Sequence, residues 1–309
     1  MSRKIAPVMA AAAGAALLLT ACTGAKPTAN PAATSAPPAT TVPVATATAA
    51  PPTTAAATPV PVATAAYPRN PAPIVEGTPY TQPINPAAFV AGVDNPFLPF
   101  AVGASFVFEG DEHVEVKVLS DTKLILGVNA TVVSDRVFQG GVLIEDTLDY
   151  YAQDVDGNVW YFGEQTAEYK NGKVSSTAGS WIGGVDGALP GIVMLADPQV
   201  GDEYRQEFKA GEAEDLGAVT ATSGSISVPA GSWSGADVLV TEEWTPLEPD
   251  VREQKTYARG FGVVESKTIK GGNELTQLQS MATAALPMSP TAAFAGLGLI
   301  ALAWRRRGT

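Results

Sequence analysis

The sequence predicts an all-β protein: one antiparallel domain, either a sandwich or a barrel, on a disordered stalk. Two observations lead to this prediction. From residue 85 to residue 272, short segments of alternating polar and apolar residues recur roughly every 8 to 12 residues, and they are rich in β-branched and aromatic side chains. From residue 22 to residue 84, proline, alanine and threonine dominate, and charged and aromatic residues are nearly absent.

Residues 1–21 have the features of a signal peptide. Two basic residues precede an apolar run at 8–21, which is too short to span a bilayer comfortably. The run ends in Leu19-Thr20-Ala21-Cys22, which resembles the lipobox of bacterial lipoproteins, and Cys22 is the only cysteine of the chain. The resemblance implies that Cys22 is acylated, with palmitate among the expected chains, and becomes the mature N-terminus. A plain secretory signal with a chance cysteine is the alternative.

The stalk at 22–84 carries 14 of the 25 prolines of the chain, between Pro27 and Pro83. Such a composition cannot bury enough apolar surface to offset its ordering entropy, and dense proline favours extended polyproline II structure. We therefore expect a semi-rigid spacer between the membrane and the β domain.

Turn dipeptides divide the β domain at 85–272 into hairpins. Asn171-Gly172 is typical of a type I′ turn, and Gly140-Gly141 and Asp156-Gly157 indicate two further hairpins. Residues 146–164 and 253–265 form a weak internal repeat. Each segment contains a strand ending in Tyr-Ala, a tight turn and a second strand ending in Glu. Either a duplicated half-sheet or a coincidence between two similar hairpins explains it.

Part of the domain resembles a group of uncharacterised secreted bacterial β domains. The similar segments are Asn95–Pro99, Gly103–Gly110, Val228–Trp233 and Tyr257–Val264, and the similarity spans roughly 93–270. The shared motifs are turns and aromatic core positions, so the resemblance implies a β fold. It implies no activity and no catalytic residues.

The chain ends in a linker at 273–290 and a hydrophobic tail at 291–309 that closes with Arg305, Arg306 and Arg307. This pattern looks like a cell-surface sorting signal, although Ser289-Pro290 stands where a sortase motif has Thr-Gly, which argues against sortase cleavage. A short membrane helix is the alternative. Both interpretations place the β domain at the extracytoplasmic face of the bacterial membrane.

Composition excludes several function classes. Residues 86–280 contain 12 basic and 30 acidic residues, a formal charge of −18, which argues against a nucleic-acid partner. One cysteine and one histidine exclude a disulfide framework and Cys-rich or multi-histidine metal sites. The sequence predicts no cofactor.

The candidates for metal binding and catalysis are weak. Asp154, Asp156 and Asn158 resemble the start of a calcium loop, but the rest of that loop is out of register, so a hairpin is the preferred interpretation. His113 has the parity of a solvent-facing residue. A hydrolase of the paired-carboxylate type needs two acids close together. Acidic residues occur close together in three places: Glu109, Asp111 and Glu112; Glu212, Glu214 and Asp215; Glu242 and Glu243.

The preferred candidate for a ligand site is the Gly-rich segment at 181–191, which carries Trp and apolar residues where a plain connector is polar. Its possible lining is Trp160, Tyr161, Trp181 and Met194.

The sequence therefore favours a non-enzymatic surface lipoprotein that presents its β domain to an apolar ligand or an envelope protein. The alternatives are a carboxylate-dependent extracytoplasmic hydrolase and a structural envelope or adhesion component.

Overall fold

Alternating side chains build a continuous antiparallel sheet in the computed structural model, which describes residues 80–283. The signal peptide, Cys22, nearly all of the predicted stalk and the tail at 291–309 lie outside these residues. Within 80–283, no helix is long and apolar enough to cross a membrane. A three-residue 3-10 helix at Pro86–Ala88, with Asn85 as its N-cap, leads into the strands.

The strands are β1 (Phe89–Val90), β2 (Ser105–Gly110), β3 (His113–Ile125), β4 (Val128–Gln139), β5 (Val142–Asp154), β6 (Val159–Lys170), β7 (Lys173–Ser176), β8 (Trp181–Ile182), β9 (Leu189–Met194), β10 (Glu203–Arg205), β11 (Glu207–Phe208), β12 (Leu216–Ala221), β13 (Gly224–Val228), β14 (Gly231–Gly235), β15 (Val238–Trp244), β16 (Arg252–Ala258), β17 (Gly262–Lys270) and β18 (Leu275–Ala282).

The sheet consists of two meanders that close into a barrel. The first meander is β2-β3-β4-β5-β6-β9 and the second is β10-β12-β15-β16-β17-β18. Strand β18 pairs with β2 and joins the meanders along one seam. At the other seam β9 pairs with β11, which follows β10 after the single residue Gln206. The sheet is thus a nearly closed barrel, and of the two architectures that the sequence allowed, the structure shows the barrel.

Short strands extend the sheet alongside β5 and β6. Strand β1 pairs with the end of β5, and β7 and β8 both pair with β6. Strands β13 and β14 form a separate hairpin, whose Trp233 packs edge-on against Phe261 at a ring-centroid distance of 4.8 Å.

The predicted hairpins are confirmed. Asn171 and Gly172 connect β6 to β7 with φ angles of 55° and 71°, and Gly140 and Gly141 connect β4 to β5 with 58° and 79°. Positive φ at both central residues defines the type I′ turn, whose twist matches that of the paired strands. The Asp156-Gly157 turn connects β5 to β6.

The two meanders repeat each other in register around their central hairpins. In β5–β6, Tyr151 lies opposite Tyr161 and the register shifts between Tyr150 and Tyr151. In β16–β17, Tyr257 lies opposite Val263 and the register shifts at the equivalent step, between residues 256 and 257. Because a bulge at one fixed position is a specific feature of a hairpin, this match favours the duplicated half-sheet over coincidence. In this alignment of the two meanders, the position equivalent to Glu164 is Ser266. The sequence pattern instead suggested Glu265, one residue earlier.

The last strand lies beyond the predicted domain boundary. Strand β18, at Leu275–Ala282, falls in the segment predicted as linker (273–290), yet it pairs with both β17 and β2. Its sequence, LTQLQSMA, has only a weak apolar alternation because one half of it faces solvent at the seam. The domain therefore extends about ten residues past residue 272.

Candidate functional site

One end of the barrel is closed by a plug, the segment Asn95–Phe100. Asn95 Nδ2 donates to the carbonyl oxygen of Gly157, in the turn after β5, at 2.9 Å. The carbonyl oxygen of Pro96 accepts from the backbone N–H of Gly260, in the turn after β16, at 2.7 Å. The plug thus joins the equivalent turns of the two meanders, which gives this motif a structural role.

Below the plug lies an internal cavity of about 20 Å³, enough for one water-sized group. A barrel of about twelve strands encloses more space than one of eight, and large aromatic side chains fill most of it here. All the lining residues are buried. They are Leu98, Phe100, Tyr151, Tyr161, Val193, Gln206, Glu207, Asp215, Glu243, Lys255, Tyr257 and Val263.

Two acceptors on the cavity wall have no hydrogen-bond partner within residues 80–283. They are Gln206 Oε1 and Glu207 Oε1, on side chains that are 5% and 1% exposed. The other oxygen of Glu207 accepts from Trp181 Nε1 at 2.8 Å, which fixes the carboxylate in place. Burial, followed by the nearby charge of Asp215, raises the pKa of Glu207 well above its usual range. The wall therefore offers the cavity an amide acceptor, Gln206 Oε1, and a carboxyl group whose raised pKa favours its protonated form, which can both accept and donate.

The second meander contains an ion-pair cluster, here called the lysine site: the buried Lys255 and Glu243 and the partly exposed Glu253. Lys255 Nζ lies 2.6 Å from Glu243 Oε2 and 3.6 Å from Glu253 Oε2, and the lysine side chain is 4% exposed. Burial by itself lowers the pKa of Lys255, but the carboxylates of Glu243 and Glu253 outweigh it, so the pKa is raised. The lysine is charged, and this half of the barrel carries its own counter-ion.

The first meander contains a different cluster, here called the acid site: Asp135, Asp149 and Glu164. All three side chains are fully buried. The Tyr161 hydroxyl donates to Asp149 Oδ1 at 2.6 Å and lies 3.2 Å from Glu164 Oε2. Four carboxylate oxygens have no hydrogen-bond partner among the described residues: both of Asp135, Oδ2 of Asp149 and Oε1 of Glu164.

The acid site holds protons more tightly than exposed carboxylates do. Burial raises the pKa of Asp149 to about 7, against the lowering effect of the Tyr161 hydrogen bond. Burial and then the charge of Asp149 raise the pKa of Asp135 and that of Glu164 well above the usual range. Like charges in a low-dielectric interior disfavour joint ionisation.

The residues predicted to line a ligand site are all buried, and the structure brings two of them, Tyr161 and Trp181, into contact. Tyr161 lines the cavity, and Trp181 packs edge-on against it at a ring-centroid distance of 5.4 Å and donates a hydrogen bond to Glu207. Trp160 is on the opposite face of β6, where its ring packs against Phe89 at a centroid distance of 5.9 Å. Met194 is 1% exposed at the end of β9. The Gly-rich segment is pinned to β6 through β8, so it packs against the barrel wall.

The residues that resemble a calcium loop form a turn. The carboxylate of Asp154 accepts from the backbone N–H groups of Asp156 and Asn158 at 3.0 and 2.9 Å. It also accepts from Asn158 Nδ2 at 2.9 Å and from Trp160 Nε1 at 2.8 Å. Across residues 80–283, no group of three or more His, Cys, Asp or Glu side chains is arranged to hold a metal ion.

The exposed acids and the histidine do not form a catalytic group. His113 is half-exposed, and its hydrogen bond with Glu109, at 2.8 Å, raises its pKa more than burial lowers it. Asp111 accepts from the backbone N–H of Leu275. Glu109 on β2 and Glu242 on β15 are separated by three intervening strands, about 19 Å along the sheet, whereas paired glycosidase carboxylates lie about 5–9.5 Å apart.

Sequence reasoning missed the acid site and the lysine site. The signal was present in the strand parity: Asp135 alternates with the buried Val133 and Val137, and Lys255 alternates with the buried Tyr257. Charged residues at the parity of the core are the pattern that identifies a polar interior.

Comparison with known proteins identifies no family. No protein-family model matches the sequence, and no curated protein matches it. Two solved structures are partly similar. One is a protein from Bacteroides fragilis that is described as exported and as having a YmcC-like fold, with 14% identity and a TM-score of 0.37 over 62% of this chain and 100% of that chain. The other, from Parabacteroides distasonis, is described as a lipoprotein, with 11% identity and a TM-score of 0.34 over 61% of this chain and 99% of that chain. Similarities of this size do not define a function.

Proposed function

We propose that this protein is an extracytoplasmic lipoprotein whose β-barrel binds a small, hydrogen-bond-donating ligand and does not catalyse a reaction. The lipobox at Leu19–Cys22 and the proline-rich spacer that follows support the location. The observation that carries the binding role is the cavity with two wall oxygens, the amide acceptor Gln206 Oε1 and Glu207 Oε1, that have no hydrogen-bond partner within residues 80–283. The polar wall favours a ligand with donor groups over the apolar ligand expected from the sequence.

The same geometry argues against the hydrolase alternative. The carboxyl groups of Glu207, Asp215 and Glu243 lie inside the barrel, around a space of one water-sized group. A polymeric substrate needs an open cleft in which a scissile bond meets two acids. The exposed acid Glu109 and the candidate partner Glu242 lie on β2 and β15, which three other strands separate.

Metabolic labelling tests the anchor. The full chain is expressed in a bacterial host with an alkyne-bearing palmitate analogue, and the Cys22→Ala variant serves as the matched control. We expect label on the wild-type chain and none on the variant, because Cys22 is the only cysteine. Equal labelling of the two chains, or an unlabelled wild-type chain, would refute lipidation at Cys22.

Native mass spectrometry tests the binding role. The full chain is purified in mild detergent, and its mass is compared before and after denaturation. We expect an added mass that disappears on denaturation and that decreases in Glu207→Gln. Glu203→Gln, on the exposed side of β10, is the control that retains it. A wild-type chain without an added mass, even after incubation with envelope extract, would contradict the proposal.

A further inference from the structure

The repeat places a lysine and an aspartate at equivalent positions of the two meanders. Lys255 lies opposite Ser266 on β17, two residues before Tyr257. Asp149 lies opposite Glu164 on β6, two residues before Tyr151. Counted in register from these tyrosines, position 149 of the first meander corresponds to position 255 of the second.

The neighbours of these two positions also correspond. Asp135 lies opposite residue 147, two residues before Asp149, and Glu243 lies opposite residue 253, two residues before Lys255. In the second meander the ammonium group of Lys255 therefore lies beside Glu243. In the first meander the equivalent pair consists of two acids, and Glu164 adds a third where the second meander has Ser266.

The acid site has acceptor atoms and includes no lysine or arginine, and the charge of Lys255, which lowers the pKa of Asp135, comes from the lysine site. Asp135 is fully buried, and neither of its oxygens has a hydrogen-bond partner in the described part of the chain. One oxygen of Asp149 and one of Glu164 are in the same state. Buried carboxylates are ordinarily paired or hydrogen-bonded, so these oxygens indicate a partner that residues 80–283 do not supply.

We propose that the acid site binds the protonated amine of a small ligand, with the ammonium group beside Asp135, Asp149 and Glu164 as the ammonium group of Lys255 lies beside Glu243 and Glu253. This inference deepens the proposed binding role and rests on it. The lysine site shows that this barrel accommodates a buried ammonium group between carboxylates at 2.6 and 3.6 Å.

The chemistry favours an amine over a metal ion. A metal ion needs several oxygens at about 2.0–2.6 Å from one point, and no described group of acids is arranged in that way. An ammonium group has three N–H donors and reaches acceptors that are spread further apart. Burial raises the pKa of Asp135 and that of Asp149, and the opposing effects of Lys255 on Asp135 and of the Tyr161 hydrogen bond on Asp149 are smaller, which is consistent with acids whose charge the described residues oppose only in part.

Thermal unfolding of the full chain at pH 8 tests the proposal with methylammonium chloride as the probe. Tetramethylammonium chloride at the same ionic strength is the control, because it has the same charge and no N–H donor. We expect a saturable rise of the unfolding temperature with methylammonium only, on the order of 5 °C or more at 100 times Kd.

Three variants locate the effect. Asp149→Asn removes the central charge and should abolish the response to methylammonium. Asp149→Lys places an ammonium group where the second meander has Lys255; it should raise the unfolding temperature without ligand and should also abolish the response. Asp121→Asn, at an exposed position on β3, should respond like the wild type. If the lysine variant does not fold, the asparagine variant decides.

Three results would overturn the amine assignment: no shift of the wild-type chain with methylammonium, equal shifts with methylammonium and tetramethylammonium, or a full methylammonium response in Asp149→Asn. The outcome is separable from that of the binding role. A chain that ignores methylammonium but carries another bound mass in native spectra loses the amine assignment and keeps the binding role. A chain with neither property loses both.

Discussion

Replacing Lys255 by methionine tests whether the barrel interior depends on its one buried lysine for charge balance. Methionine keeps most of the apolar stem and removes the ammonium group that lies 2.6 Å from Glu243 and 3.6 Å from Glu253. A buried carboxylate that loses its partner either stays charged, at a cost of about 3–5 kcal/mol, or takes up a proton. For a glutamate with an ordinary pKa near 4.3, protonation costs about 4 kcal/mol at pH 7 and about 1 kcal/mol at pH 5.

The expected result is therefore a pH-dependent loss of stability. Lys255→Met should lower the free energy of unfolding by about 3–4 kcal/mol at pH 7 and by about 1 kcal/mol at pH 5. Urea denaturation followed by tryptophan fluorescence measures both values. In the double variant Lys255→Met/Glu243→Gln, most of the loss at pH 7 should be recovered, because the amide leaves no unpaired charge at that position.

The control is Lys267→Met, which removes a half-exposed lysine 3.8 Å from Glu265. Pairs of this kind contribute about 0–1 kcal/mol, so the control should change stability little at either pH. An equal loss at pH 5 and pH 7 in Lys255→Met would refute the reasoning, because it would assign the effect to packing of the lysine stem.

Three further outcomes follow from the structure. First, the pKa of Asp149 is raised from 3.8 to about 7 in the folded protein, so its contribution to stability is present below about pH 4 and is lost as the pH rises through 7. The free energy of unfolding should therefore fall between about pH 4 and pH 7. Asp149→Asn should make the free energy of unfolding depend less on pH over this interval. Second, Gly163→Ala should lower the free energy of unfolding by about 3 kcal/mol or more, because the φ of Gly163 is +141° and a Cβ there would lie 2.5 Å from the carbonyl oxygen of Trp181. Gly140 has a φ of +58° and no atom within 4 Å of an added Cβ, so Gly140→Ala should lower the free energy of unfolding by only about 1 kcal/mol. Urea denaturation measures both values. Third, Asp154→Ala should cost about 2–4 kcal/mol by leaving buried N–H donors unpaired, and calcium should not change the melting temperature of the wild-type chain.

The strands and turns were predictable because their signals are local. A two-residue turn such as Asn171-Gly172 fixes the register of a hairpin through its own backbone angles. Alternation of polar and apolar residues then assigns each strand one buried face. The seam was less predictable, because the pairing of β18 with β2 joins residues more than 150 positions apart, and no local signal in Leu275–Ala282 specifies it.

The candidate site was hard to predict because its residues look like surface residues. Asp135, Asp149 and Glu164 are acids in strands with one polar face, and the usual expectation places such acids in solvent. Only closure of the barrel makes one face fully enclosed and converts these acids into an interior cluster. Two of the tryptophans that the sequence analysis assigned to a ligand site instead hold acidic side chains in place by hydrogen bonds. Trp160 Nε1 donates to Asp154, and Trp181 Nε1 donates to Glu207.

The difference between the two meanders is best explained by a division of roles within a duplicated sheet. If both halves served only to fill the barrel, apolar residues of similar volume would stabilise it at least as well as buried charges do. The second half instead pairs Lys255 with Glu243 and Glu253, whereas the first half has Asp149 at the equivalent position and leaves four carboxylate oxygens without a partner among residues 80–283. Buried acids of this kind cost stability unless they keep their protons or a cation opposes their charge. The stability of the barrel and its occupancy by a cation are therefore coupled, and the response of Asp149→Asn to methylammonium measures that coupling directly.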